Sequence, residues 1–242
     1  MPPRPAPILE TTIDLGDRTL PLTARVNRRA RRLIVTVDAI SGRVIVTAPS
    51  NRALPEAVDF AKTRARWIRR QLTESDGAKP FGSGLVFPLR GAPVSVVNEG
   101  GPRGAVRLVG DRLIAGGEEA HLNRRITDWL KSEARRALTE RADHFATRLG
   151  KRRGPITIRD TRSRWGSCAR NGALSFSWRL ILTPPEILDY VAAHECAHLV
   201  HLNHSPAYWR VLKGLGVDAR AARDWFSTNG SALYAYGAER AA

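Results

Sequence analysis

The stretch HECAHLVHLNH, residues His194 to His204, holds four of the chain's six histidines. His194 and His198 are four residues apart, and on an α-helix this spacing places both imidazoles on one face. Two such ring nitrogens can bind one zinc ion at about 2 Å each without distorting the helix. Glu195 lies one step around the helix, where its carboxylate can take a proton from a water that the metal activates. The spacing therefore predicts a catalytic metal site.

The third metal ligand is predicted to be His204. It follows His198 by six residues, and a straight helix would carry it to the far side. A helix that ends near Leu202–Asn203 lets the chain turn back toward the metal, since asparagine tolerates the left-handed backbone that ends helices. The alternatives for the third ligand are His201, Asp218 and Asp224.

The motif lies in a predicted helix, PPEILDYVAAHECAHLVHL, which opens at Pro184-Pro185. Histidines in such an apolar helix need either hydrogen-bond partners or a metal, because unpaired polar groups are costly to bury. Cys196 on this helix is predicted to pack as a small apolar side chain. Cys168 lies in a loop, and neither cysteine has a Cys-x-x-Cys partner, so neither is predicted as a metal ligand.

Outward from the motif, the chain is predicted to be α+β. Short β-branched runs such as RLIVTV and RVIVTA indicate an antiparallel, β-rich N-terminal region at residues 11–117, preceded by flexible residues 1–10. One helix is predicted inside this region at residues 54–72, where apolar side chains recur at helical spacing. Residues 118–242 are predicted to form a second domain that contains a long helix and the motif helix.

Composition limits the class of protein. The 242 residues are 43% hydrophobic, which is enough to fill a core. No apolar run reaches the roughly 18 residues that a membrane-spanning helix needs, and the N-terminal residues lack the apolar stretch of a signal peptide. Two cysteines are too few for a disulfide framework. We therefore expect a cytoplasmic protein that does not contact a membrane.

The chain is strongly basic, with 39 Lys and Arg against 23 Asp and Glu and a net charge of +16. A field of this sign attracts polyanions, so nucleic acid, nucleotides and acidic peptides are all possible partners. The N-terminal region contains a basic run with Arg25, Arg28, Arg29, Arg31 and Arg32. The run is interpreted either as a solvated loop or as a polyanion contact, and no nucleic-acid recognition motif accompanies it.

The pieces RWGSC, SFSWRLI, DYV, HECAH and NHSPAYW, within about residues 160–209, resemble the YgjP-like metallopeptidase-domain family. That family is related to SprT-like and other zincin proteases. The resemblance implies a zincin-like metalloprotease core with an active-site helix. It also implies one zinc ion on His194, His198 and His204, Glu195 as general base, and a peptide or protein substrate.

In zincins, a strand beside the active-site helix commonly lines the cleft and pairs with an extended peptide. The resemblance places that strand near Leu174–Trp178. The residues implied as substrate contacts are Arg164, Trp165, Ser167, Arg179 and Tyr208. Of these, Tyr208 and Arg179 are also the candidates for stabilising an oxyanion. For Trp165 the alternative is structural packing beneath the helix.

Three functions follow from these observations. The first is a zinc-dependent hydrolase, with a peptidase as the favoured form. The second keeps the zinc but acts on nucleotides or other phosphate-bearing substrates, which the net charge of +16 favours. The third is a nucleic-acid-associated protease or binding module, whose affinity would fall steeply with salt.

Overall fold

The computed structural model describes residues 8–38, 43–73, 77–102, 104–161 and 164–239. It divides into two compact units, one up to Lys79 and one from Pro80 to Gly237. The sequence predicted a boundary between residues 117 and 118. The observed boundary comes earlier because the second group of strands shares a core with the long helix that follows it.

The first unit is one sheet with two helices. Its strands are β1 (Ile8–Asp14), β2 (Thr19–Val26), β3 (Ile34–Asp38) and β4 (Arg43–Ala48). Its helices are α1 (Leu54–Thr63) and α2 (Ala65–Thr73). Buried aliphatic side chains of the sheet and of both helices form its core. Because β1 begins at Ile8, the predicted flexible stretch 1–10 overlaps this strand by three residues, and residues 1–7 lie outside the described part of the chain.

Two details of this unit differ from the prediction. The strand order is β1-β2-β4-β3, and the central pair, β2 and β4, is parallel, so the sheet is mixed rather than antiparallel. After β2 the chain forms β3 at the outer edge of the sheet, and β4 then inserts between β2 and β3. A run of apolar residues does not show this order of strands. The predicted helix 54–72 is broken at Arg64, whose backbone leaves the helical region at φ −96° and ψ 9°.

The second unit begins with a sheet of the same topology. Its strands are β5 (Val86–Leu89), β6 (Ala92–Asn98), β7 (Arg107–Val109) and β8 (Arg112–Ala115). The order is β5-β6-β8-β7, again with a parallel central pair. Phe87, Val94 and Leu113 of this sheet are buried in one cluster with Leu122 and Ile126 of the next helix.

The rest of the second unit holds the motif. A small sheet has strands β9 (Ile156–Arg159), β10 (Gly166–Cys168) and β11 (Leu174–Ser177). The helices are α3 (Leu122–Arg148), α4 (Pro185–Ala197), α5 (Pro206–Gly214) and α6 (Ala219–Asn229). A bidentate ion pair, with Arg141 donating to the Asp189 carboxylate at 2.6 and 2.8 Å, joins α3 to α4. The fold is therefore mixed α+β, as predicted. None of the described helices has the length and apolarity to cross a membrane.

Candidate functional site

Helix α4 and the turn after it carry His194 and His198. Their ring centroids are 5.1 Å apart, as expected for side chains one turn apart on one face. The helix ends at Ala197 rather than near Leu202–Asn203. The helix stops early because the backbone N–H groups of the next residues reach back to carbonyls three residues earlier, which tightens the last turn.

His204 lies in the loop before α5, opposite His194. The two Nε2 atoms are 3.2 Å apart. The loop is held by Ser205, which caps α5 by accepting a hydrogen bond from the backbone N–H of Tyr208. The ring of Trp209 stacks on that of His204, with centroids 5.7 Å apart. This anchoring fixes the imidazole of His204 beside the other two.

The structure thus brings three imidazoles together. One ring nitrogen from each of His194, His198 and His204 lies within 4.8 Å of the others. His201 is outside this group. Asp218 and Asp224 are also outside it, and Asp218 instead caps α6 by accepting from two backbone N–H groups.

Hydrogen bonds on the far side of two rings fix which nitrogen faces the centre. The Nδ1 of His198 lies 2.9 Å from the carbonyl oxygen of His201, and this oxygen can only accept. The Nδ1 of His194 lies 2.7 Å from the hydroxyl of Tyr208, which is 3.2 Å from the carbonyl oxygen of His194. The His201 carbonyl requires the proton of His198 on Nδ1, and the Tyr208 hydroxyl can accept from the Nδ1 of His194 while it donates to the His194 carbonyl, which leaves both Nε2 lone pairs for a metal.

The environment favours neutral imidazoles. Burial, together with the charges of His198, His204 and Arg223, lowers the pKa of His194 to about 4. Burial and the neighbouring His198 also lower the pKa of His204. Neutral imidazole is the form that binds a metal, so the pKa shifts and the ring orientations agree.

The spacing of one pair of these nitrogens fits a zinc ion. Two nitrogens bound tetrahedrally at about 2.0–2.1 Å from zinc are roughly 3.3 Å apart, and the two Nε2 atoms of His194 and His204 are 3.2 Å apart. Two lone pairs this close repel each other unless a proton or a cation lies between them. Three imidazoles also match the donor set of catalytic zinc sites, which leave one position open.

Glu195 is buried beside these histidines, with 5% of its surface exposed. Burial raises the pKa of its carboxyl to about 8, and Arg164 opposes the rise. Strand β10 runs directly against the side chain. A Cβ on Gly166 would lie 2.6 Å from the Oε1 and 2.7 Å from the Cγ of Glu195, closer than real contacts allow. Gly166 therefore leaves the space in which the Glu195 carboxyl sits.

The predicted substrate contacts fall into two groups. Arg164 is exposed, and its positive charge opposes the raised pKa of Glu195. Ser167 lies between Gly166 and Cys168 on β10, and alternation along a strand turns it to the opposite face of the sheet. There Ser167 and Arg164 line a cleft of about 370 Å³.

The other predicted contacts have structural roles. Trp165 is sandwiched between Phe226 and Tyr234, with ring centroids 4.7 and 5.2 Å away. Arg179 is only 3% exposed and donates to Asp160 and to backbone carbonyls of the C-terminal segment. Tyr208 is fully buried, and its hydroxyl is engaged by His194. Arg179 and Tyr208 are buried and Trp165 is partly buried, and all three side chains contact other groups of the protein.

The strand that lies against Glu195 of α4 is β10, and not the strand predicted to line the cleft. The sequence placed the cleft-lining strand at Leu174–Trp178, but β11 is the central strand of its sheet, with β10 and β9 on its two sides. In the described residues, β10 has one unpaired edge and carries Gly166 against Glu195. An extended chain could therefore pair with β10 and not with β11.

Comparison with known proteins gives the family. A family model described as the YgjP-like metallopeptidase domain matches residues 31–229. The chain belongs to the YgjP-like metallopeptidase family. The match extends well beyond the motifs at residues 160–209 that carried the resemblance. Family membership makes the protein a metallopeptidase-type hydrolase, which implies a bound metal ion and a peptide or protein substrate.

The other comparisons add little. No curated protein matches this chain. Among solved structures, it is similar to the metallopeptidase zymogen of Pyrococcus abyssi abylysin, with 21% sequence identity and a TM-score of 0.34. The alignment covers 38% of this chain and 95% of that chain. At this identity and TM-score the likeness carries no argument.

Sequence reasoning missed several residues of this YgjP-like site. Gly166 was part of the quoted RWGSC piece, but nothing in the pattern showed that it faces Glu195. Arg223 acts on His194 and lies over the Trp209 ring at 5.5 Å. The carbonyl of His201 orients His198, a backbone role that no side-chain motif can signal.

Proposed function

We propose that this YgjP-like protein is a zinc-dependent peptidase in which His194, His198 and His204 hold one zinc ion. Glu195 is the general base. The convergence of three neutral imidazoles beside a buried carboxyl supports the proposal more than any other observation. In a structural zinc site a fourth protein ligand would close the coordination, whereas three histidines leave room for substrate and water.

The residues divide the chemistry between them. Zinc, when bound, supplies Lewis acidity that lowers the pKa of a water and polarises a carbonyl. Glu195 takes the proton that the water loses and passes it to the amide nitrogen as the C–N bond breaks. The water oxygen becomes bonded to the carbonyl carbon, so the products are a carboxylate and an amine. Burial raises the pKa of this carboxyl above its usual range, so its ionised form is a stronger base than an exposed glutamate.

The substrate is an extended peptide that pairs with β10. The unpaired edge of this strand offers backbone donors and acceptors next to Glu195, which is how extended peptides bind at sheet edges. Arg223 lies over the ring of Trp209, which stacks on His204, and the charges of Arg164 and Arg223 act on Glu195 and His194. We expect them to favour acidic groups close to the cleaved bond.

A proteome-derived peptide library tests the proposal. The zinc-loaded full chain should cleave it, and the same chain treated with a chelator and then dialysed should not. Adding zinc back should restore cleavage. Cleavage that is unaffected by the chelator, or none with zinc bound, would remove the peptidase assignment.

Phosphate-bearing substrates are a second candidate, because Arg223, which lies over the Trp209 ring stacked on His204, would also bind a phosphate. Nucleoside triphosphates assayed in parallel with the library separate the two. Phosphate release that needs zinc, without peptide cleavage, would favour this second function.

Gly166→Ala is expected to lower kcat by about 10²-fold, because a catalytic group displaced by about 1 Å loses activity on this scale. The added Cβ must push the Glu195 carboxyl from its position, since the nearest contacts would be 2.6 and 2.7 Å. Zinc content should stay the same. Gly214→Ala is the matched control, because a Cβ there meets nothing within 4 Å. Equal activity in the two variants would show that Gly166 does not position Glu195.

Tyr208→Phe is expected to weaken zinc binding by about 10- to 100-fold, as loss of a partner behind a metal-binding histidine commonly does. The change removes the hydroxyl at 2.7 Å from the Nδ1 of His194 and leaves the buried ring in place. Tyr190→Phe is the control, since the ring of Tyr190 also neighbours His194, at 5.8 Å, but its hydroxyl does not bond to it. Competition with a chromophoric chelator measures both affinities, and equal values would exclude the orienting role.

A further inference from the structure

The first unit has a groove of its own, far in sequence from the histidines. It has a volume of about 630 Å³ and lies between β3 and the helices α1 and α2. Strand β3 is at the edge of its sheet, with β4 on one side only. The groove is lined by Arg32, Ile34, Glu56, Phe60, Arg64 and Trp67, among others.

The apolar part of the groove is open to solvent. Trp67 is 36% exposed and Ile34 is 43% exposed. The guanidinium of Arg64 lies over the ring of Phe60, 5.2 Å from its centroid. Aromatic rings and flat guanidinium groups side by side offer several π-faces in one groove.

The charge around the groove is strongly positive. Several exposed arginines lie at the groove and in the adjoining basic run, namely Arg28, Arg29, Arg31, Arg32, Arg64 and Arg66. Within the described part of the chain, these arginines form no ion pair. Glu56 is the acidic side chain in the lining. Nearby Lys62, by contrast, is paired with Asp59 at 2.9 Å. Arginines without acidic partners leave their donors available for an anionic ligand.

We propose that this groove binds single-stranded nucleic acid. Bases stack on Trp67 and on the Arg64–Phe60 pair, while phosphates lie along the arginines that precede β3. A single strand is favoured over a duplex because only unpaired bases can present their faces to the aromatic rings. An acidic peptide would use the charges but would leave the exposed aromatic faces without a matching partner. This binding is independent of the peptidase proposed above.

The aromatic side chains and the arginines are expected to affect oligonucleotide binding in different ways, the first through affinity and the second through salt dependence. The full chain is titrated against a fluorescein-labelled oligothymidylate of about 12 nucleotides at several salt concentrations, with anisotropy as the readout. Trp67→Ala should weaken binding by roughly 5- to 150-fold, the effect of losing one stacked base, without changing the salt dependence. Trp67→Phe should restore most of the affinity. Glu56→Gln, which removes the negative charge, should strengthen binding.

The charged residues should act on the salt dependence instead. Each phosphate contact contributes about −0.7 to the slope of log K against log salt, so Arg31→Ala with Arg32→Ala should flatten the slope by roughly 1.4. Arg43→Ala is the control, because Arg43 lies at the opposite end of the β3–β4 ladder from Ile34. Its effect on the slope should be smaller. Thermal unfolding of each variant confirms that the chain is folded.

Three results would overturn the proposal. One is the absence of salt-dependent binding to the oligonucleotide. Another is binding that Trp67→Ala leaves unchanged, or that a poly-glutamate peptide matches in affinity, since charge alone would then explain it. The third is a dimer that dissociates in Trp67→Ala while nucleic acid is not bound, because a second copy would then occupy the groove.

Discussion

Glu195→Gln is expected to lower kcat for peptide hydrolysis by about 10²- to 10⁴-fold, the usual contribution of a general acid–base group. Glutamine has nearly the same shape, so it can occupy the space beside Gly166. It cannot take a proton from water. The zinc content should equal that of the unaltered chain, because Glu195 is not among the converging ligands. Rates are measured with the zinc-loaded proteins on a peptide taken from the library.

Glu186→Gln is the matched control for this change. Glu186 is an exposed residue in the first turn of the same helix, so the substitution alters the charge of α4 equally but away from the histidines. Its rate should be unchanged within experimental error. If Glu195→Gln kept most of the activity while Glu186→Gln behaved as expected, the general base would have to be another residue.

His204→Ala is expected to abolish stoichiometric zinc binding at micromolar free metal. Removing a ligand should cost more than the 10- to 100-fold that loss of a supporting hydrogen bond costs. The His194 and His198 side chains would remain on α4 and the turn after it, but two imidazoles do not complete a catalytic zinc site. Zinc per chain is measured by mass spectrometry of metals after dialysis.

His201→Ala provides the comparison, because His201 lies three residues away in the same loop and is also a histidine. It contacts His198 through its backbone carbonyl, which alanine retains. Its zinc content should therefore equal that of the unaltered chain. A loss of zinc in His201→Ala, with none in His204→Ala, would exchange the roles of the two residues.

Much of the fold class was predictable because it depends on local pattern. Alternating β-branched residues predicted the strand-rich start, and apolar spacing predicted the long helix α3 and the helix α4. The order of the strands was not predictable in this way. The parallel pairing of β2 with β4 depends on where β3 lies, and single strands carry the same pattern in either arrangement.

The convergence of the three histidines was predictable for a related reason. The spacing of His194 and His198 is a property of one helix, so it holds wherever that helix lies. The place of His204 depends on a loop, which is held where Ser205 caps the helix that begins at Pro206. The end of α4 was misplaced by about five residues, because hydrogen bonds of the turn, and not side-chain preferences, decide where it stops.

Substrate contacts were the least predictable residues. Arg179 looked like a cation for the cleft, yet it is buried and donates to Asp160 and to the C-terminal segment. The sequence alone does not distinguish a buried arginine from an exposed one. Gly166, by contrast, has no side chain to suggest a role, and its role follows only from its close contact with Glu195.

A crystal of the full chain grown with zinc, with diffraction recorded at the zinc absorption edge, would show where the metal binds. We expect one anomalous peak per chain, about 2.0–2.1 Å from the Nε2 atoms of His194, His198 and His204. The Nδ1 atoms of His194 and His198 should keep their bonds to Tyr208 and to the His201 carbonyl. A peak elsewhere, or a metal bound to His201 in place of His204, would contradict this expectation.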